Sequence, residues 1–105
     1  MSYRVIFSPE AEDDLFRLFD HALERELRSA AGDLDIPARA IEAIREACRL
    51  LQLTPFSCRK AGASAFVREL IIPFGATGYI AMFEIVDRQT VLIGAVRHQR
   101  ESDYR

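Results

Sequence analysis

Two stretches in the first half of the chain repeat apolar residues at intervals of three and four positions, which places those side chains on one face of a helix. The first apolar stripe comprises Leu15, Leu18, Phe19, Ala22 and Leu23. Ser8 can cap the N-terminus of this helix, and Pro9 can occupy its first turn. The helix is expected to reach about Leu27 or Ala31 and to stop at Gly32.

The second stripe predicts another helix, which begins after Asp35 and has Pro37 in its first turn. Its apolar positions are Ala40, Ile41, Ile44, Ala47, Cys48 and Leu51. The helix is expected to end at Thr54 and Pro55. Because the link between the two helices is short, they are predicted to form an antiparallel hairpin.

Strands are predicted where β-branched and aromatic residues cluster between turn residues, at 3–7, 66–72, 79–86 and 91–96. Residues 54–64 have no period and contain Pro55 and Gly62, which indicates a loop. The predicted fold is α+β and forms a single domain over residues 1–105. It has an N-terminal strand, a helical hairpin on one face of a small, mainly antiparallel sheet, and a C-terminal three-strand meander.

The predicted strand 79–86 is apolar on both faces. One face carries Tyr79, Ala81, Phe83 and Ile85, and the other carries Ile80, Met82 and Val86. A single helical hairpin covers only one face of a sheet. Either the twist of the sheet curls over the second face, or another polypeptide covers it, since contiguous exposed apolar surface usually marks a protein interaction site.

Charge and hydropathy narrow the class of protein. The chain has 105 residues and a net charge of −2, with eleven acidic and six basic residues in 1–47 but five acidic and eight basic residues in 48–105. A protein that grips nucleic acid by its phosphates carries a broad cationic excess, which this chain lacks. No apolar run approaches the roughly 20 residues of a membrane span, and the N-terminus lacks a secretory signal, so the expected location is the cytoplasm.

Neither a metal nor a cofactor is expected. No His or Cys pair stands at ligand spacing, and Cys48 and Cys58 are expected to be reduced thiols without a catalytic role. No recognition helix is evident, so direct sequence-specific DNA binding is not expected either.

A basic cluster of Arg97, His98 and Arg100 follows the last predicted strand. If the strand continues, Arg97 extends the face of the odd-numbered residues in 91–95, and His98 points to the opposite face. His98 either titrates near neutral pH as an acid or base, or is a hydrogen-bonded structural residue. The cluster is predicted to lie beside the strand that bears Arg68, forming one small cationic surface.

Arg68 shares the alternating face of Leu70 and Ile72 in the strand 66–72. Two interpretations of this arginine remain open. It either belongs to the cationic surface, or it forms an ion pair with a helix carboxylate, because half-buried arginines are usually paired.

Four segments stand in a distinctive order along the chain: YRVIFSPEAEDDL at the start, the PFSCRK loop, FVRELII with GYIAMFEI, and AVRHQRESDY at the end. Together they resemble the RelE/ParE toxin family of bacterial type II toxin–antitoxin systems over nearly the whole chain. The sequence is most similar to the ParE side, the plasmid-stabilisation toxins. The resemblance implies the α+β fold predicted above.

The resemblance also implies a hetero-oligomer with a cognate antitoxin, whose disordered segment folds over the helices and sheet of the toxin. The expected antitoxin contacts are Leu15 and Phe19 on the first helix, and Ile80 and Met82 on the strand 79–86.

Two cellular targets follow from the two branches of the family. ParE-like members inhibit DNA gyrase by binding, whereas RelE-like members cut messenger RNA on the ribosome without a metal. A nuclease here would use Arg68, Arg97 and His98 as catalytic residues. The expected target-binding residues are Lys60, Arg68, Arg97, His98, Arg100 and Tyr104. A third hypothesis is a non-toxic module that only binds the antitoxin.

Overall fold

The computed structural model describes residues 2–101, and these contain two helices and one five-stranded sheet. The elements are β1, Arg4–Phe7; α1, Pro9–Arg28; α2, Ile36–Arg49; β2, Arg59–Lys60; β3, Val67–Phe74; β4, Thr77–Ile85; and β5, Thr90–His98. Two 3-10 turns, Leu50–Gln52 and Pro55–Ser57, lie between α2 and β2. Both predicted helices and the α+β class are confirmed.

The sheet has the strand order β1-β5-β4-β3-β2. Strands β2 to β5 pair antiparallel, whereas β1 lies parallel to β5 at one edge. Both helices pack on one face, and the core between the two layers includes Leu15, Leu18, Ile44, Ala81, Phe83, Ile93 and Val96. The predicted mainly antiparallel sheet under a helical hairpin is therefore confirmed.

The hairpin between β3 and β4 is tighter than predicted. Phe74 pairs with Thr77, so only two residues form the turn. Gly75, the first of them, has a φ of +60°, which glycine adopts without strain. Pro73 does not end β3, because β2 pairs only with Arg68 and Glu69 and leaves this edge of β3 open.

The predicted loop 54–64 is only partly a loop. Its first residues form the turn Pro55–Ser57, and Arg59–Lys60 add a two-residue strand to the edge of β3. A two-residue strand is too short to show an alternating pattern in the sequence. Only its pairing with β3 identifies it as a strand. The prediction of a loop over residues 54–64 is wrong for Arg59 and Lys60, which form this strand.

A β-bulge interrupts the pairing of β4 with β5. Phe83 pairs with Ile93, but the adjacent Met82 pairs with Ala95, which leaves Gly94 as the extra residue on β5. One extra residue reverses the alternation of side chains for the rest of the strand.

The bulge changes which residues of β5 face the helices. Val96 belongs to the core cluster that includes helix residues, whereas Ala95, although buried, does not, and Arg97 follows Ala95 onto the opposite face. The prediction that Arg97 continues the face of the odd-numbered residues in 91–95 is wrong, because simple alternation assumes a regular strand. His98 still lies on the face opposite to Arg97.

The start of α1 satisfies the backbone of β5 at and beyond the bulge. β1 ends opposite Ile93, so this edge of β5 has no strand partner beyond Ile93, although the other edge stays paired with β4. The Ser8 N–H donates to the Ile93 carbonyl at 2.9 Å, and the Ser8 hydroxyl donates to the Gly94 carbonyl at 3.3 Å. The Asp14 carboxylate, which is buried, accepts from the Val96 N–H at 2.9 Å. The first two turns of α1 thus replace the missing strand.

The change Asp14→Ala removes the acceptor of a buried N–H group. Because that group then lacks a charged partner, the free energy of unfolding is expected to fall by about 2 to 3 kcal/mol in urea denaturation. Asp13→Ala is the matched control, since Asp13 is exposed in the same turn; its effect should stay below about 0.5 kcal/mol. Equal stability losses in the two variants would contradict this role of Asp14.

Candidate protein-interaction surfaces

The two arginines that were predicted to form one surface lie far apart. β3 and β5 are both antiparallel to β4, so they run in the same direction, and Arg68 near the start of β3 lies at the opposite end from Arg97. Arg68 pairs with Phe83 and Arg97 pairs with Ile80. These positions on β4 are separated by about 10 Å along the strand. The side chains also project from opposite faces, so the predicted single cationic surface is two separate groups.

Backbone carbonyl groups surround the guanidinium of Arg68. Its Nε donates to the Ala65 carbonyl at 2.8 Å, and its Nη1 donates to the carbonyls of Phe56 and Cys58 at 2.9 and 2.8 Å. The guanidinium carbon lies 5.2 Å from the centre of the Phe56 ring. These partners differ from the helix carboxylate that one interpretation of the sequence expected. Arg68 therefore ties the segment after α2 to β3.

Arg97 is half-buried at the end of β5. Its Nη1 donates to the carbonyl oxygens of His98 and Glu101. The Glu101 carboxylate in turn pairs with Arg17 on α1, with an Nη1–Oε1 distance of 2.8 Å. These contacts fold residues 99–101 back onto the domain.

His98 uses both ring nitrogens in hydrogen bonds. Its Nδ1 accepts from the Arg100 N–H at 3.1 Å, so Nε2 carries the proton and donates to the Thr77 hydroxyl at 3.0 Å. The ring also contacts Tyr79 edge-on, with centroids 5.5 Å apart. Burial lowers the pKa of His98, and the positive charges of Arg25 and Arg100 lower it further. The arrangement matches the structural interpretation of His98.

The other predicted target-binding residues do not converge either. Lys60 on β2 is exposed and lies opposite Arg68 of β3 in the strand register. Arg100 is exposed in the turn after β5, at the end of the sheet that carries His98. Tyr104 lies outside the described residues.

Two of the four predicted antitoxin contacts are buried within the domain. Leu15 is 3% exposed because its position on α1 points into the core. Ile80 is 5% exposed and lies between Ile71 and Arg97 on the neighbouring strands. Phe19 and Met82 are half-buried and lie on different faces of the domain.

A groove between α1 and α2 opens on the side away from the sheet. It has a volume of about 470 Å³ and is lined by Glu12, Leu15, Phe16, Phe19, Asp20, Ala38, Ile41 and Arg45. Phe16 is 70% exposed at this groove. Phe16 was not predicted as a site residue, because it lies one position outside the core stripe of α1. An aromatic residue at such a position is the signal that could have revealed it.

The second face of the sheet is partly bare. Ile6, Ile71 and Val86 are among the exposed large apolar residues, and no helix of the described chain packs on this face. The apolar second face predicted from strand 79–86 is therefore present.

A third apolar surface lies where the segment after α2 meets β3. The rings of Phe56 and Phe66 are 6.2 Å apart and meet edge-on. They line a groove of about 330 Å³ whose other wall includes Val86 and Asp87. Neither phenylalanine was predicted as a site residue, because both lie in or beside a segment without a hydrophobic period.

The comparison that decides the family covers almost the whole chain. A family model described as "ParE toxin of type II toxin-antitoxin system, parDE" matches residues 5–103. The chain belongs to the ParE toxin family. A toxin role in a type II toxin–antitoxin system follows from this membership.

A solved structure shares the fold of this ParE-family chain. The structure titled "Chromosomal ParDE TA system from P. aeruginosa" matches with a TM-score of 0.70 at 17% sequence identity, covering 92% of this chain and 96% of that chain. At this identity, the likeness shows the fold alone. No curated protein sequence matches this chain.

The chemistry available within residues 2–101 of this ParE-family toxin is limited. No helix there is long and apolar enough to cross a membrane, and no group of His, Cys, Asp and Glu side chains is placed to hold a metal ion. Burial raises the pKa of Cys48 to about 12 and also raises the pKa of Cys58. Both groups are therefore protonated thiols at neutral pH and poor nucleophiles.

The lowered pKa of His98 predicts an acid-sensitive fold. Because the unfolded chain protonates this ring near pH 6.5, the stabilisation from the neutral ring is complete above pH 6.5 and is lost as the pH falls through the folded-state pKa. In thermal melts, His98→Gln should flatten the fall in melting temperature between about pH 7 and about pH 5. The control His21→Gln, at an exposed position on α1, should keep most of the wild-type fall. An unchanged slope for His98→Gln would contradict the prediction.

Proposed function

We propose that this ParE-family toxin inhibits DNA gyrase by binding it, and that a cognate antitoxin neutralises it in the cytoplasm by covering its apolar surfaces. The separation of Arg68 from Arg97 and His98 is the observation that carries the proposal. Exposed apolar surface supports action through protein contacts. The resemblance to ParE-like toxins supplies gyrase as the target.

The nuclease alternative requires a different arrangement of the same residues. Cleaving RNA without a metal needs a base, an acid and cations around one phosphate. Arg68 donates to three carbonyl groups at one end of the sheet, whereas His98 has both nitrogens engaged at the other end. This geometry favours an inhibitor that binds over an endoribonuclease.

The groove between α1 and α2 supports the antitoxin part of the proposal. Phe16 and Phe19 present apolar surface there, and the ion pair between Glu12 and Arg45 borders it, with an Oε2–Nη2 distance of 3.1 Å. An amphipathic segment can lay its apolar face into such a groove and place polar groups against the border. Phe19 thus remains an antitoxin contact in this proposal, whereas the buried Leu15 contributes only to the floor of the groove.

A supercoiling assay with purified gyrase tests the target. The toxin should inhibit supercoiling at micromolar concentration, and primer extension on translated messages should show no new cuts. Absence of inhibition would contradict gyrase as the target, and new cuts would favour the nuclease.

Expression without the antitoxin should arrest growth; continued growth would instead favour the non-toxic module.

Binding measurements with the purified antitoxin test the groove. Phe16→Ser should weaken antitoxin affinity by about tenfold or more, because a large aromatic anchor is lost from a buried contact. Leu27→Ser is the matched control, since Leu27 is 64% exposed on the same helix but does not line the groove. Equal affinities for Phe16→Ser and the wild type would contradict the assignment.

A further inference from the structure

We propose that Arg68 is a positioning residue, which holds Phe56 and Phe66 as an exposed aromatic surface that contacts an apolar surface of the toxin's target protein. The inference rests on the proposed function, in which the toxin acts by binding a protein. In this inference Arg68 does not touch the target protein. It holds in place the aromatic surface that does.

The hydrogen bonds of Arg68 join both ends of a weakly structured segment. Phe56 and Cys58 lie at its start and Ala65 lies at its end, and their carbonyl groups converge on one guanidinium at 2.8 to 2.9 Å. Between them the chain has only the two-residue strand Arg59–Lys60. A planar guanidinium has five donors in a fixed fork, so it can bridge several carbonyls at once. Lysine cannot reproduce this geometry.

The held surface is aromatic and accessible. Phe56 is 46% exposed and Phe66 is 54% exposed, and the two rings contact each other edge-on. The Arg68 guanidinium lies over the Phe56 ring, which restrains that side chain as well as its backbone. Val86, 50% exposed, extends the apolar area across the groove. Adjacent exposed aromatic rings are typical of protein interfaces.

The charges around this surface favour a protein partner over a nucleic acid. Residues 54–68 contain three basic and no acidic residues, but Arg68 is bound to carbonyl groups and Arg59 pairs with Glu69 at 3.0 Å. Lys60 is exposed beside the groove without lining it, and the other wall of the groove carries the acidic residues Glu84 and Asp87 together with one cation, Arg88. A phosphate backbone would require more cations and would meet these carboxylates. An apolar protein surface with one carboxylate facing Lys60 fits the arrangement.

The variant Arg68→Lys separates positioning from charge. It should reduce growth arrest on expression without the antitoxin, and it should raise the toxin concentration for half-inhibition of gyrase by about tenfold. Trypsin should cut the folded variant faster after Arg59 and Lys60, because the segment is released. Arg28→Lys is the matched control, at an exposed arginine on α1 that lines neither groove, and should behave like the wild type.

A second variant tests the aromatic surface without touching Arg68. The double change Phe56→Ser and Phe66→Ser removes two rings that are about half exposed, so the variant should have a lower melting temperature but remain folded at the growth temperature, while growth arrest is lost. Wild-type growth arrest in Arg68→Lys or in the double variant would overturn the inference. Weaker toxicity of Arg68→Lys with unchanged trypsin cleavage would overturn it too, because Arg68 would then be a direct contact.

The two proposals fail in different ways. If the wild type arrests growth but does not inhibit purified gyrase, the proposed target is wrong, and the growth readout of the variants still decides the role of Arg68. If the wild type produces new cuts in translated messages and the variants do not, the surface contacts RNA, and the inference is overturned.

Discussion

The hydrogen bonds between the start of α1 and the bulged part of β5 determine how the rest of the domain is arranged. β1 is too short to pair with the second half of β5, and Ser8 and Asp14 supply the missing partners. Buried backbone groups without partners are costly, so this replacement permits the bulge at Gly94. The bulge then sends Val96 into the core and Arg97 to the other face. The bulge therefore accounts for the opposite faces of Arg68 and Arg97, and the pairing of β3 and β5 with β4 accounts for the distance between them.

The size of the domain sets a second constraint. One helical hairpin buries one face of the sheet, and the opposite face, the groove between the helices and the pair Phe56 and Phe66 all remain accessible to a partner. In the two proposals, two of these three surfaces have distinct occupants. The antitoxin occupies the helix groove, and the target contacts the aromatic surface held by Arg68.

Local signals account for the parts of the fold that could be predicted from sequence. The helices follow from a repeat of three and four residues with Ser8, Pro9 and Pro37 at their starts, because caps and periodicity act within a few residues. The bulge, β2 and the partners of Arg68 depend on contacts between distant segments, which no local pattern contains. The candidate site was therefore predicted less well than the fold. Side-chain types at Arg68 and His98 suggested reactive groups, but the contacts of these residues are those of structural ones.

Hydrogen–deuterium exchange on the toxin, alone and bound to purified gyrase, tests most directly whether the toxin acts through a protein-binding surface held by Arg68. The account predicts slower exchange on binding in peptides that cover residues 54–68, with little change in peptides that cover 97–101. Protection confined to 97–101, or no protection anywhere, would contradict it.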